Sequence, residues 1–334
     1  MTVQPIFSYG NLIEAMFSGA SKNNHLMLNS ARSSLYLAID ALLKNNLAVK
    51  QVLLPDLICS EIIPIIRMFD ISIKFYNVDK DLDPDINSIR DQIKNKLSIV
   101  LIVNYFGFPS NWSEIHKLKN SDNCIIIEDN AHSLYGKYDN QFFGNLGDIS
   151  FNSLRKVLPV LSGSILKFNN SIKSDIKLKK RLVSYSEFKY SLRFLRRNVK
   201  ANIQKPLNNH DYNDIESIDY FSKKIFISSL SDQNNISMKR KKNYNIWKKY
   251  LASSDLEMIK PNTSDCPYAL PCIFENQKLY EKWVKWGVTN NVNLIRWPSL
   301  PNMESHKLNY TKLSNIILFP VNHMIKLDFL ESSL

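Results

Sequence analysis

Between residues 51 and 170 the apolar positions change their spacing repeatedly, from unbroken runs to steps of three and four. The runs at 51–54, 71–78, 98–104 and 124–128 predict strands, and the intervening segments 60–69, 84–94 and 111–118 carry helical spacing. Asp83 stands where it would cap the second of these helices. Strands that are apolar on both faces and separated by helices imply a mainly parallel sheet flanked by helices, a doubly wound α/β arrangement. Two more strands are expected at 148–153 and 163–168. Beyond them Ile172, Ile176, Leu182, Tyr185, Leu192, Leu195 and Val199 predict an amphipathic basic helix over 171–200. A long helix is expected at 234–251, then a strand at 269–274, a helix at 277–286 and a strand at 292–295. The break near 255–267, with Pro261 and Pro267, divides a large domain (1–250) from a smaller C-terminal α+β domain (251–334).

The composition fits such a core. Of 334 residues, 44% are hydrophobic and 22% charged, which excludes a disordered chain. With only 8 glycines, a phosphate loop built from glycine cannot be assumed. No apolar run approaches the roughly 20 residues of a membrane-spanning helix. The first ten residues lack the basic start and apolar stretch of a secretion signal, so a cytoplasmic protein is expected. Cys59, Cys124, Cys266 and Cys272 have no paired spacing and lie in or beside apolar runs, so no disulfide framework is expected. The six histidines show no metal-binding spacing, and no metal is expected.

The net charge of +12 is concentrated. Between Lys173 and Lys205 eleven Lys or Arg face only two acids, Asp175 and Glu187. Such a stripe attracts phosphate, whether from a nucleotide-linked substrate, a nucleic acid backbone or a lipid surface. Tyr185, Phe188, Tyr190 and Phe194 interleave with the cations as in a nucleic-acid surface, but their near-helical spacing equally suits a packed face.

Ligands of parallel sheets bind beyond the carboxyl ends of the strands, which directs attention to 29–34, 55–59, 128–132 and 153–156. The apolar strand Ile125-Ile126-Ile127 ends in Glu128-Asp129, where a buried carboxylate needs a cation or strong donor unless it only caps the next turn. His132 is either a packed histidine or a member of the same site. Lys156, following a strand and next to Arg155, is either half of a surface pair or an amine primed for covalent chemistry. Ser30 to Ser34, before an apolar helical pattern, reads as a helix cap or as a phosphate cradle with Arg32.

Together these segments resemble the DegT/DnrJ/EryC1/StrS family of sugar aminotransferases, over about 25–330. The resemblance lies in Ser30-Ala31-Arg32-Ser33-Ser34-Leu35, Leu53-Leu54-Pro55, Asn104-Tyr105-Phe106-Gly107-Phe108-Pro109 and Glu128-Asp129-Asn130-Ala131-His132. It continues in Gly147-Asp148 leading to Ser153 and Lys156, in Lys239 to Tyr244, and in Arg296-Trp297-Pro298. It implies the fold type I architecture of pyridoxal 5'-phosphate enzymes. By the same resemblance, Asp129 would pair with the pyridine nitrogen, His132 would lie by the ring and its phenolic oxygen, and Lys156 would attach the cofactor and move the substrate proton. Arg32 and Ser33, through backbone amides, and Ser153, through its hydroxyl, would hold the phosphate.

The implied reaction moves an amino group, with glutamate as a typical donor, to a nucleotide-linked keto sugar for a bacterial surface polysaccharide such as O-antigen or capsule. A homodimer would share the active site, and nucleic acid is not an expected partner. Three departures stand out. The lysine turn is about two residues shorter than the family pattern, the segment after it keeps a single glycine, Gly163, and the slot for a ring-stacking aromatic falls near Ile58 and Cys59. They leave open a non-catalytic member that binds a nucleotide sugar or a partner protein. A basic nucleic-acid-binding module is the other alternative.

Overall fold

The computed structural model describes residues 1–4, 25–45, 47–94, 96–121, 123–169, 178–180, 215–259, 264–303 and 305–331. The chain enters on β1 (Leu26–Leu28) and turns into α1 (Ala31–Lys44), whose N-cap Ser30 accepts from the amide of Ser33. There follow β2 (Gln51–Pro55), α2 (Ile63–Ile66), β3 (Ser72–Tyr76), α3 (Ile86–Ile93), β4 (Ser98–Val103), α4 (Trp112–Ser121) and β5 (Cys124–Asn130). A hairpin of β6 (Lys137–Tyr138) and β7 (Gln141–Phe142) leads to β8 (Ile149–Asn152), the single turn α5 (Leu154–Val157) and β9 (Ser164–Phe168). After residue 215 come α6 (Tyr220–Ser229), α7 (Gln233–Tyr250), β10 (Glu257–Met258), β11 (Ala269–Ile273), α8 (Gln277–Thr289), β12 (Ile295–Trp297), β13 (Ile316–Pro320) and α9 (Asp328–Glu331).

Among the described residues seven strands form the main sheet in the order β1-β9-β8-β5-β4-β2-β3. Strands β3, β2, β4, β5 and β8 pair in parallel, while β9 and β1 close that edge antiparallel. All six residues of β4 are buried, as a strand covered on both faces requires. Register pairs Val103 with Asp129 and Asp129 with Phe151, so the carboxyl ends of β4, β5 and β8 finish together. A second, antiparallel sheet of four strands, β10-β11-β13-β12, has its own apolar cluster around Trp247, Trp283 and Phe319. Among the described residues no helix is long and apolar enough to cross a membrane, and no His, Cys, Asp or Glu group is placed to hold a metal ion.

Several local expectations change. Asp85, not Asp83, caps α3, accepting from the amides of Asn87 and Ser88. Residue 84 is held in an extended bridge to Val78, so the helix cannot begin before Asp85. The helix expected over 60–69 shortens to a 3-10 turn, Ser60–Ile62, and α2, with Pro64 at its start. The last strand shifts to β12, because Val292 N bonds back to Gly287 O at 2.7 Å and closes the end of α8. The basic helix over 171–200 lies outside the described residues except at 178–180. There Lys179 is extended, its amide bonding to Ile215 O and its carbonyl to Ser217 N at 3.1 and 2.8 Å, so a continuous helix is not formed.

The two sheets meet at the turn after β4. Phe106 and Gly107 both have left-handed backbone, with φ 53 and 88. The Phe106 carbonyl accepts from Tyr268 N at 2.7 Å, and the Ser264 hydroxyl donates to the Gly107 carbonyl. A Cβ on Gly107 would lie 2.6 Å from the Cys266 carbonyl oxygen and 2.8 Å from Tyr268 N, both rigid backbone atoms. Gly107→Ala is therefore expected to lower stability by at least about 2 kcal/mol, read as a shifted urea midpoint.

Candidate active site

Successive side chains of β5 point to opposite faces of the sheet, which separates the two adjacent acids. Glu128 is fully buried and accepts from the amides of Gly144, Leu146 and Gly147 at 2.8, 3.1 and 3.3 Å. Its remaining donors are the side-chain amides of Asn130 at 2.8 Å and Asn104 at 3.3 Å. Burial pushes its carboxyl up, and these donors pull it back. Glu128 thus organises the loop before β8. Asn104 extends the network, its carbonyl oxygen accepting from Ser110 N and Trp112 Nε1, both at 3.0 Å.

Asp129 is treated differently. It is also buried, yet the one hydrogen bond to its carboxylate among the described residues comes from the Ala131 amide to Oδ1, at 2.8 Å. Burial raises its carboxyl to about 6, against the opposing pull of the Ala131 amide and the Lys156 cation. Such a group is short of donors and calls for a cationic partner.

The imidazole of His132 is stacked between two rings, Phe106 at 5.4 Å and Tyr268 at 4.6 Å between centroids, with interplanar angles of 11° and 7°. Trp297 stands edge-on to both His132 and Phe106, at 5.9 and 4.8 Å. His132 Nδ1 accepts from the Phe106 amide at 3.3 Å, so the neutral ring carries its proton on Nε2. Burial first, and the Lys156 cation second, hold this histidine well below its usual range, so it stays neutral at physiological pH.

Lys156 lies on α5, which begins at Ser153. The turn is short because the chain folds straight back: Leu154 N donates to Gly163 O at 2.9 Å and Leu158 N to Leu154 O at 2.7 Å. Gly163, with φ 134, leaves no room for a Cβ, which would lie 2.8 Å from side-chain atoms of Leu154 and Ile218. The Ser222 hydroxyl takes the amides of Leu161 and Ser162 at 3.0 and 3.2 Å, while buried Asp219 accepts from the Ser162 hydroxyl. The Lys156 charge acts on Asp129, His132 and Cys59 alike, and among the described residues no ion pair joins Lys156 to Asp129. Cys59, half-buried in the turn after β2, has its thiol raised chiefly by desolvation.

The N-terminus of α1 closes the other side. The amide of Ser33 is already bonded to Ser30 Oγ at 3.1 Å, and the Ser33 hydroxyl donates to Asn29 Oδ1 at 2.7 Å. Ser33 is therefore committed to the cap, in contrast to the cradle role implied for its amide. Arg32 lies close enough to Arg155 that, after desolvation, it is the main influence lowering that guanidinium. Ser153, buried, makes no capping hydrogen bond with its side chain.

Tyr268 escaped the reading of the sequence, and Arg155 and Arg240 were seen there only as neighbours within their motifs. Tyr268 carries no signal beyond its place before β11. Arg240 had one, because it falls in register with Ile236, Asn243 and Trp247 on the buried stripe of α7, where a cation is out of place.

Comparison with known proteins bears on the family and the fold. The model of the DegT/DnrJ/EryC1/StrS aminotransferase family matches residues 11–194. GDP-4-keto-6-deoxy-D-mannose 3-dehydratase of Escherichia coli O55:H7 is 26% identical over 141 residues, 42% of this chain and 34% of that protein. UDP-4-amino-4,6-dideoxy-N-acetyl-beta-L-altrosamine transaminase of Campylobacter jejuni is 27% identical over 171 residues, 49% of this chain and 45% of that protein. The chain thus spans about a third to just under half the length of these curated relatives. Among solved structures, the E. coli GDP-4-keto-6-deoxy-D-mannose-3-dehydratase with bound hydrated PLP superposes with a TM-score of 0.70 at 14% identity, covering 98% of this chain and 97% of that one. The Helicobacter pylori aminotransferase PseC gives 0.69 at 12% identity, with 98% and 95% covered. Both share the fold seen here, and the chain belongs to the DegT/DnrJ/EryC1/StrS aminotransferase family.

Proposed function

We propose that this chain is a pyridoxal 5'-phosphate-dependent aminotransferase that converts a nucleotide-linked keto sugar to an amino sugar, with an amino acid such as glutamate as donor, for bacterial surface polysaccharide synthesis. What supports the reading is an electrostatic grouping: the Lys156 charge acts on both the donor-poor buried carboxylate of Asp129 and the neutral imidazole of His132. It rests further on a cytoplasmic homodimer sharing the active site, each chain divided into a large domain, 1–250, and a small one, 251–334.

The residues suit that cofactor. A carboxylate with one internal donor and a raised affinity for protons is matched to a protonated ring nitrogen. A cation-rich rim of Arg32 and Arg155, with Ser153 and the N-terminus of α1, is matched to a phosphate. The cofactor, when bound, supplies an electron sink for the carbanion formed next to the transferred nitrogen. Asp129 would keep the ring nitrogen protonated. His132, a neutral donor at Nε2, would lie by the ring and its phenolic oxygen. Lys156 would supply the amine that holds the cofactor and would move the substrate proton. By the family resemblance, the slot for an aromatic side chain stacking on the ring falls near Ile58 and Cys59.

Wild-type protein with added pyridoxal 5'-phosphate is expected to show a visible absorbance band distinct from that of the free cofactor, and borohydride should trap a stable adduct. Lys156→Ala is expected to show neither. A mutant spectrum matching the wild type would remove Lys156 from the mechanism. Turnover with a nucleotide-linked keto sugar and glutamate should yield an amino sugar, whereas a deoxy product would indicate the dehydration for which the E. coli relative is named.

Asp129 also gives the ligand-free protein a pH signature. Its folded-state affinity for protons is raised, so its contribution to stability is intact below the ordinary pKa of 3.8 and is lost as pH rises through about 6. Above that, the buried charge costs about 3 kcal/mol. Ligand-free Asp129→Asn should therefore outlast wild type in urea near about pH 8, the gap closing toward about pH 4. Added cofactor should stabilise wild type more than the mutant.

A further inference from the structure

Arg240 has no exposed surface. Its Nη1 donates to the carbonyls of Pro267 and Tyr268 at 3.2 and 3.4 Å, and its Nη2 to the carbonyl of Val157 at 3.0 Å. Nε is buried without an acceptor. Among the described residues no carboxylate forms an ion pair with it; the titratable groups around it, Cys266, Tyr268 and Tyr135, are held neutral by burial. A guanidinium cannot shed its proton, so its burial costs several kcal/mol with no counter-charge to offset it. An apolar side chain of similar size would fill the same space on the stripe of α7.

What the guanidinium adds is geometry. Its planar fork reaches two separate segments, and both border the site. Val157 follows Lys156 and ends α5, so the bond to its carbonyl fixes the turn that bears the amine. Tyr268 is the wall on which His132 stacks at 4.6 Å. We infer that Arg240 is a positioning residue that ties the Lys156 turn to Tyr268, so that the amine and the His132 imidazole hold a constant relation to one another. This rests on the proposed roles of Lys156 and His132. Arg240 itself touches neither of them, and acts through Val157 and Tyr268.

The test reads His132 directly, in protein labelled with nitrogen-15 at histidine and kept free of cofactor. In wild type the His132 ring should show one neutral Nε2–H form and no titration between about pH 5 and 8. Arg240→Lys keeps the charge but cannot bridge both segments, and Tyr268→Leu removes the wall while leaving Arg240 in place. Both should show a His132 ring that mixes tautomers or begins to titrate, whereas Tyr268→Phe, which keeps the ring, should retain the wild-type signal. With cofactor and sugar substrate, Arg240→Lys should lose at least about tenfold in kcat with little change in KM.

Folded Arg240→Lys protein with the wild-type His132 signal and unaltered kcat would overturn the inference. So would a normal His132 signal in Tyr268→Leu. If Arg240→Lys fails to fold, the Tyr268→Leu and Tyr268→Phe pair decides. If wild type binds no cofactor, the proposed function falls, while the His132 signals still report whether Arg240 and Tyr268 hold the ring.

Discussion

Taking ionisable groups out of water at the rim of a sheet is the constraint to which the rest of this molecule answers. Four such groups are buried within a small region: Glu128, Asp129, His132 and Arg240. Glu128 meets the constraint by gathering five donors, and in doing so builds a loop. His132 meets it by remaining neutral between two aromatic faces. Arg240 meets it with three carbonyls from two segments. Asp129 alone is left short of donors, and it is the group beside the lysine. Among these four, Arg240 leaves Nε without an acceptor and Asp129 leaves a carboxylate short of donors, while Glu128 and His132 are held by their neighbours.

The main sheet was legible because its strands are apolar without interruption, a pattern that survives any detail of packing. The acids at the end of β5 and the lysine after β8 were legible for a related reason, since charge directly after such a run must lie at the rim. What could not be read was anything set by contact across the fold. Tyr268 and Phe106 come together around His132 although 162 positions separate the first pair, and no local spacing announces it. The backbone bond from Leu154 to Gly163 that closes the short lysine turn joins residues nine apart, a closure that spacing along the chain does not predict. Asp85 rather than Asp83 is the cap because residue 84 is held in a bridge to Val78.

The second sheet is more than an appendage. Through Tyr268 it forms one wall of the imidazole, through Trp297 it closes the pocket edge-on, and through the 266–268 segment it accepts the bonds of Arg240. His306, in the same half, reaches back to the carbonyl of Asp56, and the Asp56 carboxylate accepts the Asn309 amide at 2.6 Å. Each contact falls at the carboxyl end of a strand of the main sheet or on the loop after it. The surroundings of His132 are thus drawn from both sheets.

The alternation of side chains along β5 has a genealogical consequence. Inserting or deleting one residue upstream of the acids within that strand would exchange them, aiming the anchor of the 144–147 loop at the lysine and the donor-starved carboxylate at the loop. Descendants of this sequence can therefore vary that strand in length by twos, or at its far end, but a change of one there would dismantle loop and pocket in a single step.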